Sequence, residues 1–321
     1  MEWDPTSLFR TDTVPTNPFA ILVLNQPVNE RAFDAVRRHA CYTLLADGGA
    51  NRYYDLAQSR SAASTDLPSC ILGDLDSIQS HVRAHYAAHH VPILHDPDQY
   101  STDFAKCMRF LRTHAHAIMS QENPALSDNH DLYMTSRRAG PNLQRKKKLD
   151  VVVLGGLGGR VDQGFSQIHH LYMAHAQRRE ISSRLSSAGD ENEDILGELY
   201  LLSEESLSFI LSPGKHIIHT PLTHRLDLAD TSADQDEKNV LAENVGIIPL
   251  AGPTFISLTG FEWDVTRWKT EIGGQLSTSN HIRASRLEIE VDMAVDRPVL
   301  FTVELVAGLK KGYIKSRSSA S

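Results

Sequence analysis

Short apolar runs alternate with helix-like segments through the first half of the chain. The runs are too short for helices, and their unbroken apolar character is typical of strands that are covered on both faces of a sheet. The runs are FAILVL (19–24), YTLLA (42–46), SCILG (69–73), VPIL (91–94) and DVVVLGG (150–156). This alternation predicts an N-terminal α/β domain with a mainly parallel, doubly wound sheet.

The pattern changes near residue 204. From there the apolar runs are separated by Gly, Pro, Asn or Asp and show little helical periodicity, which predicts an all-β C-terminal domain, either a sandwich or a barrel. These runs are SLSFIL, KHIIHT, VGIIPL, TFISLTG, RLEIEVDM and PVLFTVEL. We therefore expect domains at 1–204 and 205–321. Three polar stretches without periodicity, near 121–148, 182–194 and 223–239, are interpreted as surface-loop insertions.

Composition narrows the classes of function. The formal net charge of -8 argues against broad attraction to nucleic acid or to an anionic membrane. The three cysteines, Cys41, Cys70 and Cys107, are odd in number and widely spaced, which is typical of a reducing compartment. The acidic N-terminus lacks the features of a signal peptide and no apolar run is long enough to cross a membrane, so we expect a cytoplasmic protein.

Polar residues follow four of the predicted strands. In a doubly wound sheet, ligands bind in the crevice beyond the carboxyl ends of the strands, so these positions are candidate site residues. The four stretches are ADGGAN (46–51), GDLDS (73–77), DPDQYSTD (96–103) and LGGLGGRVDQ (154–163).

The stretch GDLDS suggests a metal site. Asp74 and Asp76 are two residues apart, so an extended backbone would point both carboxylates to one side, where they repel unless a cation lies between them. Magnesium suits such oxygen ligands together with substrate phosphates. The alternative is that Asp76 or Ser77 caps the following helix.

The other three stretches also have two interpretations. In DPDQYSTD, Ser101 or Thr102 can cap the next helix, which places Asp103 in its first turn, where it can also face the crevice. ADGGAN is either a ligand-contacting loop or an ordinary strand-to-helix turn. The glycines of LGGLGGRVDQ and Arg160 suit a polyphosphate, although the stretch is neither a Walker A loop nor a dinucleotide fingerprint.

The β-rich half contributes fewer candidates. Trp263 is either a core residue or a stacking surface for a flat ring, and the polar residues around Ser279 are either a turn or part of a site. His81, His85 and His89 share one face of a predicted helix, which we interpret as solvated rather than metal-binding.

Taken together, these motifs resemble the thiamin pyrophosphokinase family, especially its eukaryotic form. The resemblance runs from about residue 20 to about residue 305. The motifs that match in order and rough spacing are LLADGGANRYYD, ILGDLDSI, DPDQYSTDFAKCMRFL, VLGGLGGRVDQ, ESLSFILSPGKH, TGFEWDV and LSTSN. The resemblance implies transfer of a diphosphate group from ATP to the hydroxyl of thiamin with Mg²⁺, giving thiamin diphosphate and AMP, by a homodimer whose active sites lie between subunits.

The resemblance also implies roles for individual residues. Catalysis and metal binding would fall to Asp74, Asp76 and Asp103. ATP would be bound by Asp47, Gly48, Asn51, Gly155, Gly156, Gly158, Gly159 and Arg160. Thiamin would be contacted by Gln99, Thr102, Asp162, Trp263, Ser279 and Asn280, with Trp263 stacking on its rings and Ser279 and Asn280 hydrogen-bonding the aminopyrimidine.

Two other functions are compatible with these patterns. One is a different ATP-dependent phosphotransferase that releases ADP, and the other is a catalytically silent sensor of thiamin diphosphate. A silent sensor is expected to have lost acidic positions, whereas all of them are present here. The proton acceptor for the thiamin hydroxyl is left open between Asp103 and a neighbouring carboxylate.

Overall fold

The structure is a computed structural model, and it describes residues 1–126, 132–133, 147–188, 195–225 and 239–310. These residues form two compact units. The α/β unit consists of Pro15–Phe33 and Arg37–Ser203, and the β-rich unit consists of Met1–Val14, Asp34–Val36 and the segment that begins at Glu204. Residues 1–14 therefore belong to the β-rich unit, whereas the predicted limits placed them in the first domain.

Six strands form the sheet of the α/β unit, while β1 (Glu2–Trp3) is part of the β-rich unit. The six are β2 (Phe19–Val23), β3 (Ala40–Ala46), β4 (Cys70–Gly73), β5 (Ile93–His95), β6 (Leu149–Leu154) and β7 (Leu196–Leu202). They lie in the order β5–β4–β3–β2–β6–β7, and every neighbouring pair is parallel. The predicted fold class is confirmed for this unit, although β7 was not predicted.

The sheet is apolar because both of its faces are covered. All residues of β2 and β6 are buried, as expected for strands that read as continuous apolar runs. Strand β2 lies between β3 and β6, so the direction of strand order reverses there. In folds of this type, that reversal opens a crevice at the carboxyl ends of the strands.

Five α-helices lie among the described residues, all of them between residues 30 and 188. They are α1 (Glu30–Val36), α2 (Gly49–Ser59), α3 (Ser80–Ala88), α4 (Asp103–Met119) and α5 (Val161–Ala188). Short 3-10 helices occur at Pro5–Leu8, Pro124–Leu126 and Ala307–Leu309. Among the described helices, none combines the length and apolar character that a bilayer crossing requires.

One predicted insertion is partly wrong. Residues 182–188 continue α5 instead of forming a loop; their polar composition hid the helix because it leaves no apolar stripe. The rest of that stretch, 189–194, lies outside the described residues. The same is true of 127–131 and 134–146 in the first insertion and of 226–238 in the third.

The β-rich unit is built from two sheets. Besides β1, its strands are β8 (Ser206–Leu211), β9 (Gly214–His219), β10 (Leu241–Ile248), β11 (Thr254–Thr259), β12 (Val265–Thr270), β13 (Ser277–His281), β14 (Arg286–Val291) and β15 (Val299–Leu305). One sheet has the order β1–β9–β14–β11–β12, and the other contains β13–β10–β15–β8. Their faces meet in an aromatic core: Trp3 stacks on Phe209 with ring centroids 4.7 Å apart, and Phe209 lies 5.2 Å from Phe301. The predicted sandwich is confirmed.

Candidate active site

Three carboxylates meet at the carboxyl ends of the parallel strands. Asp47 follows β3, Asp74 follows β4, and Asp103 occupies the first turn of α4. One oxygen from each lies within 4.8 Å of the others, and this is the one group of three or more potential metal ligands among the described residues. The structure thus brings together side chains that are far apart in the sequence.

The neighbouring backbone explains why these side chains can approach so closely. A Cβ atom on Gly73 would lie 2.7 Å from Asp47 Cβ and 3.1 Å from Asp103 Oδ1, so a larger residue at the end of β4 would displace two of the three acids. Thr102 helps to fix Asp103, because its Oγ1 accepts a hydrogen bond of 3.2 Å from Ala105 N–H and so caps α4. Of the two predicted caps, Ser101 and Thr102, the structure has Thr102.

The stretch ADGGAN anchors the loop that carries Asp74. Asp47 accepts hydrogen bonds from Ser77 N–H (3.0 Å) and Ile78 N–H (3.2 Å). Asn51 donates to Ser77 O and accepts from Gln79 N–H, both at 2.9 Å. Asn51 is buried, and its amide is occupied by this loop. Asp47 therefore belongs to the acidic group, whereas Asn51 supports that group from behind.

Asp76 stands beside the acidic group and is not one of its three members. Leu75 has a left-handed φ of 65°, and Asp76 N–H donates to Asp74 Oδ1 at 3.4 Å, so the chain turns where the sequence argument assumed an extended strand. Asp76 is exposed, and its pKa is lowered, chiefly because the Ser77 hydroxyl donates to it; hydrogen bonding with Asp47 and Asp74 adds to this effect.

The capping alternative for this stretch is wrong. Helix α3 begins at Ser80, and its N-cap is Gln79, which makes no side-chain capping bond. Neither Asp76 nor Ser77 is therefore the cap. The acids of GDLDS are left without a helix-capping role.

Lys106 is a site residue that sequence reasoning missed. Its side chain is 0% exposed, and its Nζ lies 3.1 Å from Asp103 Oδ1 and 3.3 Å from Asp74 Oδ2. Burial alone would lower the pKa of Lys106, but its hydrogen bonds to these two carboxylates outweigh burial and raise it. Lys106 is therefore a fixed positive charge beside the acidic group.

Two of the three acids, Asp47 and Asp103, have pKa values shifted in the direction expected for groups withdrawn from water. Burial raises the pKa of Asp103, against the opposing effect of Lys106, and burial also raises the pKa of Asp47. A bound cation would favour their ionised forms. In an octahedral shell about 2.1 Å from Mg²⁺, adjacent oxygens are about 3.0 Å apart and opposite ones about 4.2 Å, so carboxylate oxygens within 4.8 Å of one another would draw together around an ion. The donor set, three hard carboxylates, fits a magnesium ion.

The glycine-rich turn after β6 lies against the end of β2. A Cβ on Gly155, which has a φ of 68°, would lie 2.7 Å from both Leu24 O and Gln26 O. A Cβ on Gly159 would lie 2.9 Å from Gln26 Oε1. Residues Asn25 and Gln26 were missed in the sequence, although they follow an apolar strand as the other candidates do.

The remaining predicted residues of the α/β unit are placed as follows. Arg160 and Asp162, each predicted to contact a substrate, are both exposed and form an ion pair with each other, with 2.6 Å between Nη2 and Oδ2. Gln99 is exposed on the loop before α4. Gly48 is packed against Asn25, and Gly156 against Gln167. The histidine face of α3 contains His85, which bonds Ala63 O, and His89, which bonds His85 O.

The third predicted cluster lies in the β-rich unit. Trp263 is 56% exposed, so the interpretation of Trp263 as a core residue is wrong. Ser279 is also exposed, with a φ of 55°. Asn280, in contrast, is 3% exposed, and its side-chain amide is bonded to the backbone of Trp263. Trp263 and Ser279 are accessible to a ligand, and Asn280 is not.

Comparison with family models identifies both halves of the chain. A model described as the catalytic domain of thiamin pyrophosphokinase matches residues 33–183, and one described as that enzyme's vitamin B1 binding domain matches residues 215–296. The chain belongs to the thiamin pyrophosphokinase family. The resemblance inferred from the seven motifs is thereby confirmed.

Similar proteins within the family agree in length as well as in sequence. The thiamine pyrophosphokinase of Saccharomyces cerevisiae is 27% identical over 278 residues, covering 81% of this chain and 78% of the relative. Thiamine pyrophosphokinase 3 of Oryza sativa subsp. japonica is 27% identical over 299 residues, covering 89% and 87%. The solved structure of thiamin pyrophosphokinase from Candida albicans superposes with a TM-score of 0.69 at 22% identity, covering 95% of this chain and 92% of that one, which shows a shared fold.

Proposed function

We propose that this protein is a thiamin pyrophosphokinase that transfers a diphosphate group from ATP to the hydroxyl of thiamin, giving thiamin diphosphate and AMP. The observation that supports this most directly is the convergence of Asp47, Asp74 and Asp103 at the strand ends of a chain from this family. Transfer of a phosphoryl-type group needs positioning and charge stabilisation more than covalent chemistry from the protein.

The acidic group is the proposed magnesium site. Asp47, Asp74 and Asp103 would hold the ion, and Asp76, which is exposed in the same loop as Asp74, would add a weaker interaction from outside that group. When bound, Mg²⁺ supplies positive charge to the phosphate oxygens and orients them for attack at the β phosphorus. Lys106 fixes Asp74 and Asp103 from the buried side, so that both carboxylates are oriented before any ligand arrives.

The glycine-rich turn is the proposed ATP-binding element. Gly158 and Gly159 are exposed, so their backbone N–H groups can meet phosphate oxygens, whereas Gly155 and Gly156 are buried and would shape the turn that presents them. Arg160 is exposed and can add a guanidinium contact if it exchanges Asp162 for phosphate. Gly48 allows close approach at the neighbouring strand end, whereas Asp47 and Asn51 contribute through the loop that they anchor.

Thiamin recognition is proposed for exposed residues in each of the two units. Trp263 offers an exposed indole, and a cationic aromatic ring is attracted to such a face. Ser279 is accessible for a hydrogen bond, and Gln99, Thr102 and Asp162 are candidates near the transferred group. We also propose a homodimer in the cytoplasm; the three cysteines are free thiols, which is compatible with a reducing compartment.

The proposal is tested by incubating purified protein with thiamin, ATP and Mg²⁺ and separating the products. We expect thiamin diphosphate and AMP in equal amounts. ADP would instead indicate a different phosphotransferase, and tight binding of thiamin diphosphate without turnover would indicate a sensor. Asp74→Asn is expected to abolish turnover in a folded protein, whereas Asp55→Asn, a matched change at an exposed position on α2, should leave it intact.

A further inference from the structure

The backbone of Trp263, whose indole is exposed, is hydrogen-bonded at both its N–H and its C=O by one buried side chain, that of Asn280. Trp263 N–H donates to Asn280 Oδ1, and Asn280 Nδ2 donates to Trp263 O, each at 3.1 Å. Asn280 Oδ1 also accepts from His281 N–H at 2.9 Å. With Asn280 only 3% exposed, these contacts fix the main chain of Trp263 without reaching solvent.

A bulge in β13 explains why Asn280 points inward. Ile247 pairs with Ser277 and Val245 with Asn280, so three steps along β13 match two along β10. The extra residue is accommodated by the left-handed backbone of Ser279, with a φ of 55°. Bulges of this kind redirect side chains next to functional sites. Here Ser279 stays exposed while Asn280 is buried beneath Trp263.

The segment around Trp263 is held on its other sides as well. Asp264 accepts hydrogen bonds from Gly260 N–H (3.3 Å) and Phe261 N–H (2.9 Å), and Glu262 N–H donates to His281 O at 2.8 Å. Phe261 forms a bridge with Ile282. The backbone is thus ordered before ligand binding, which reduces the entropy lost when an aromatic ligand stacks on the indole.

We propose that Asn280 is a positioning residue that sets the orientation of Trp263 for the aromatic substrate and does not itself touch that substrate. This inference rests on the proposed function and changes the role expected for Asn280 from the family resemblance, which was a hydrogen bond to the aminopyrimidine. Burial makes that direct contact incompatible with this structure, because both ends of the amide are engaged by Trp263.

The first test compares single variants by steady-state kinetics with thiamin and ATP. We expect Asn280→Ala to raise the thiamin KM by about tenfold, because a hydrogen-bonded clamp is lost, with kcat and the KM for ATP nearly unchanged. Asn280→Asp still accepts from Trp263 N–H but places a buried carboxylate oxygen against Trp263 O, so its effect should be at least as large as that of Asn280→Ala. An unchanged thiamin KM in folded Asn280→Ala would overturn the inference.

The second test separates positioning from direct contact. In a Trp263→Ala background, adding Asn280→Ala should raise the thiamin KM no further, because Asn280 acts through Trp263. An additional increase as large as that in the wild-type background would show a direct substrate contact and overturn the inference. Asn280→Ser, which keeps an uncharged hydrogen-bonding group near the Trp263 backbone, replaces Asn280→Ala in the cycle if the alanine variant unfolds.

Failure of the proposed function is distinguishable from failure of this inference. If wild-type protein binds thiamin without turnover, the same cycle is read from thiamin dissociation constants measured by titration calorimetry, which does not depend on the indole that Trp263→Ala removes. If wild-type protein neither binds nor converts thiamin, the proposed function is wrong, and the inference that rests on it is overturned as well.

Discussion

Lys106 Nζ lies between the carboxylates of Asp103 and Asp74, 3.1 and 3.3 Å away, with no solvent exposure of its side chain. Two acids separated by 29 positions in the sequence are therefore joined by one buried cation. This arrangement keeps the acidic group assembled in the absence of a metal, because the positive charge offsets repulsion among the carboxylates.

Replacing Lys106 with Met should make the stability of the protein more dependent on Mg²⁺. Removing one partner of a fully buried ion pair costs about 3–5 kcal/mol. Because the carboxylates of Asp74 and Asp103 retain some exposure, we expect a smaller loss, about 1–3 kcal/mol, in the free energy of unfolding without metal. Added Mg²⁺ should raise the Tm of the variant more than that of the wild type.

Thermal unfolding with and without Mg²⁺ measures this effect. Lys215→Met is the matched control, since the side chain of Lys215 is 81% exposed and lies in the β-rich unit. Equal Mg²⁺-induced shifts in wild type and Lys106→Met would show that the lysine does not influence the metal site.

A second prediction ranks the acids by their contribution to Mg²⁺ binding. Asp47→Asn should weaken Mg²⁺ binding, measured by calorimetric titration, by at least about tenfold, whereas Asp76→Asn should weaken it by about threefold or less, because its charge lies farther from the ion and in water. Asn51→Ala is the control for loosening the loop that Asp47 anchors, and it should have the smallest effect. The reverse order for Asp47 and Asp76 would restore the ligand set expected from the sequence.

The location of the acidic group was predictable, and its membership was not. Carboxyl ends of parallel strands share one edge of a sheet, so Asp47, Asp74 and Asp103 could be placed together from strand order alone. The choice between Asp47 and Asp76 depends on the left-handed turn at Leu75, which a period-two argument cannot anticipate. A non-glycine residue with positive φ leaves little trace in sequence.

The burial of Lys106 could have been predicted from the sequence. Lys106 falls on the buried face of α4, one step from Cys107 and in line with Phe110 and Leu111, where a lysine would be costly without a partner. Asp103 precedes it by three positions, which is the spacing of neighbours on a helix surface. A charged residue in an apolar stripe therefore indicated a buried ion pair. Asn280 gave no comparable signal, because its burial depends on the bulge in β13.

Asp150 provides a test of the pH dependence of stability away from the site. It is buried in β6, where it accepts hydrogen bonds from Glu198 N–H (2.7 Å) and Asn17 Nδ2 (3.2 Å). Burial raises the pKa of Asp150 to about 7, from an ordinary value of 3.8. The folded state therefore favours the protonated acid, and this contribution to stability is lost as the pH rises from about 4 through about 7.

In Asp150→Asn the side-chain amide cannot ionise, so the loss of stability caused by ionisation of Asp150 as the pH rises should disappear. Relative to wild type, the variant's free energy of unfolding should increase between pH 5 and pH 8 by about 2–3 kcal/mol, because about two of the pH units over which the contribution is lost fall in this range. Urea denaturation across this range measures the change, and its pH slope is informative even if the amide packs less well. Asp55→Asn, at an exposed position, should run parallel to wild type, whereas parallel curves for Asp150→Asn would contradict the raised pKa.

Ser279 allows the bulge beneath Trp263 to be tested by backbone preference alone. Its φ of 55° lies in the left-handed region, where glycine has no steric penalty and a β-branched residue is strained. Ser279→Gly should therefore leave the free energy of unfolding unchanged or slightly higher, whereas Ser279→Val should lower it by about 1–2 kcal/mol.

The same pair of variants tests the link from the bulge to Trp263. If the strain in Ser279→Val flattens the bulge, Asn280 loses its inward position and its hydrogen bonds to Trp263 as well. The thiamin KM should then rise in Ser279→Val. In Ser279→Gly the segment around Trp263 should stay ordered, so thiamin binding should lose only the contribution of the serine hydroxyl. Equal stabilities and equal thiamin kinetics in the two variants would show that neither the backbone at Ser279 nor the bulge supports Trp263.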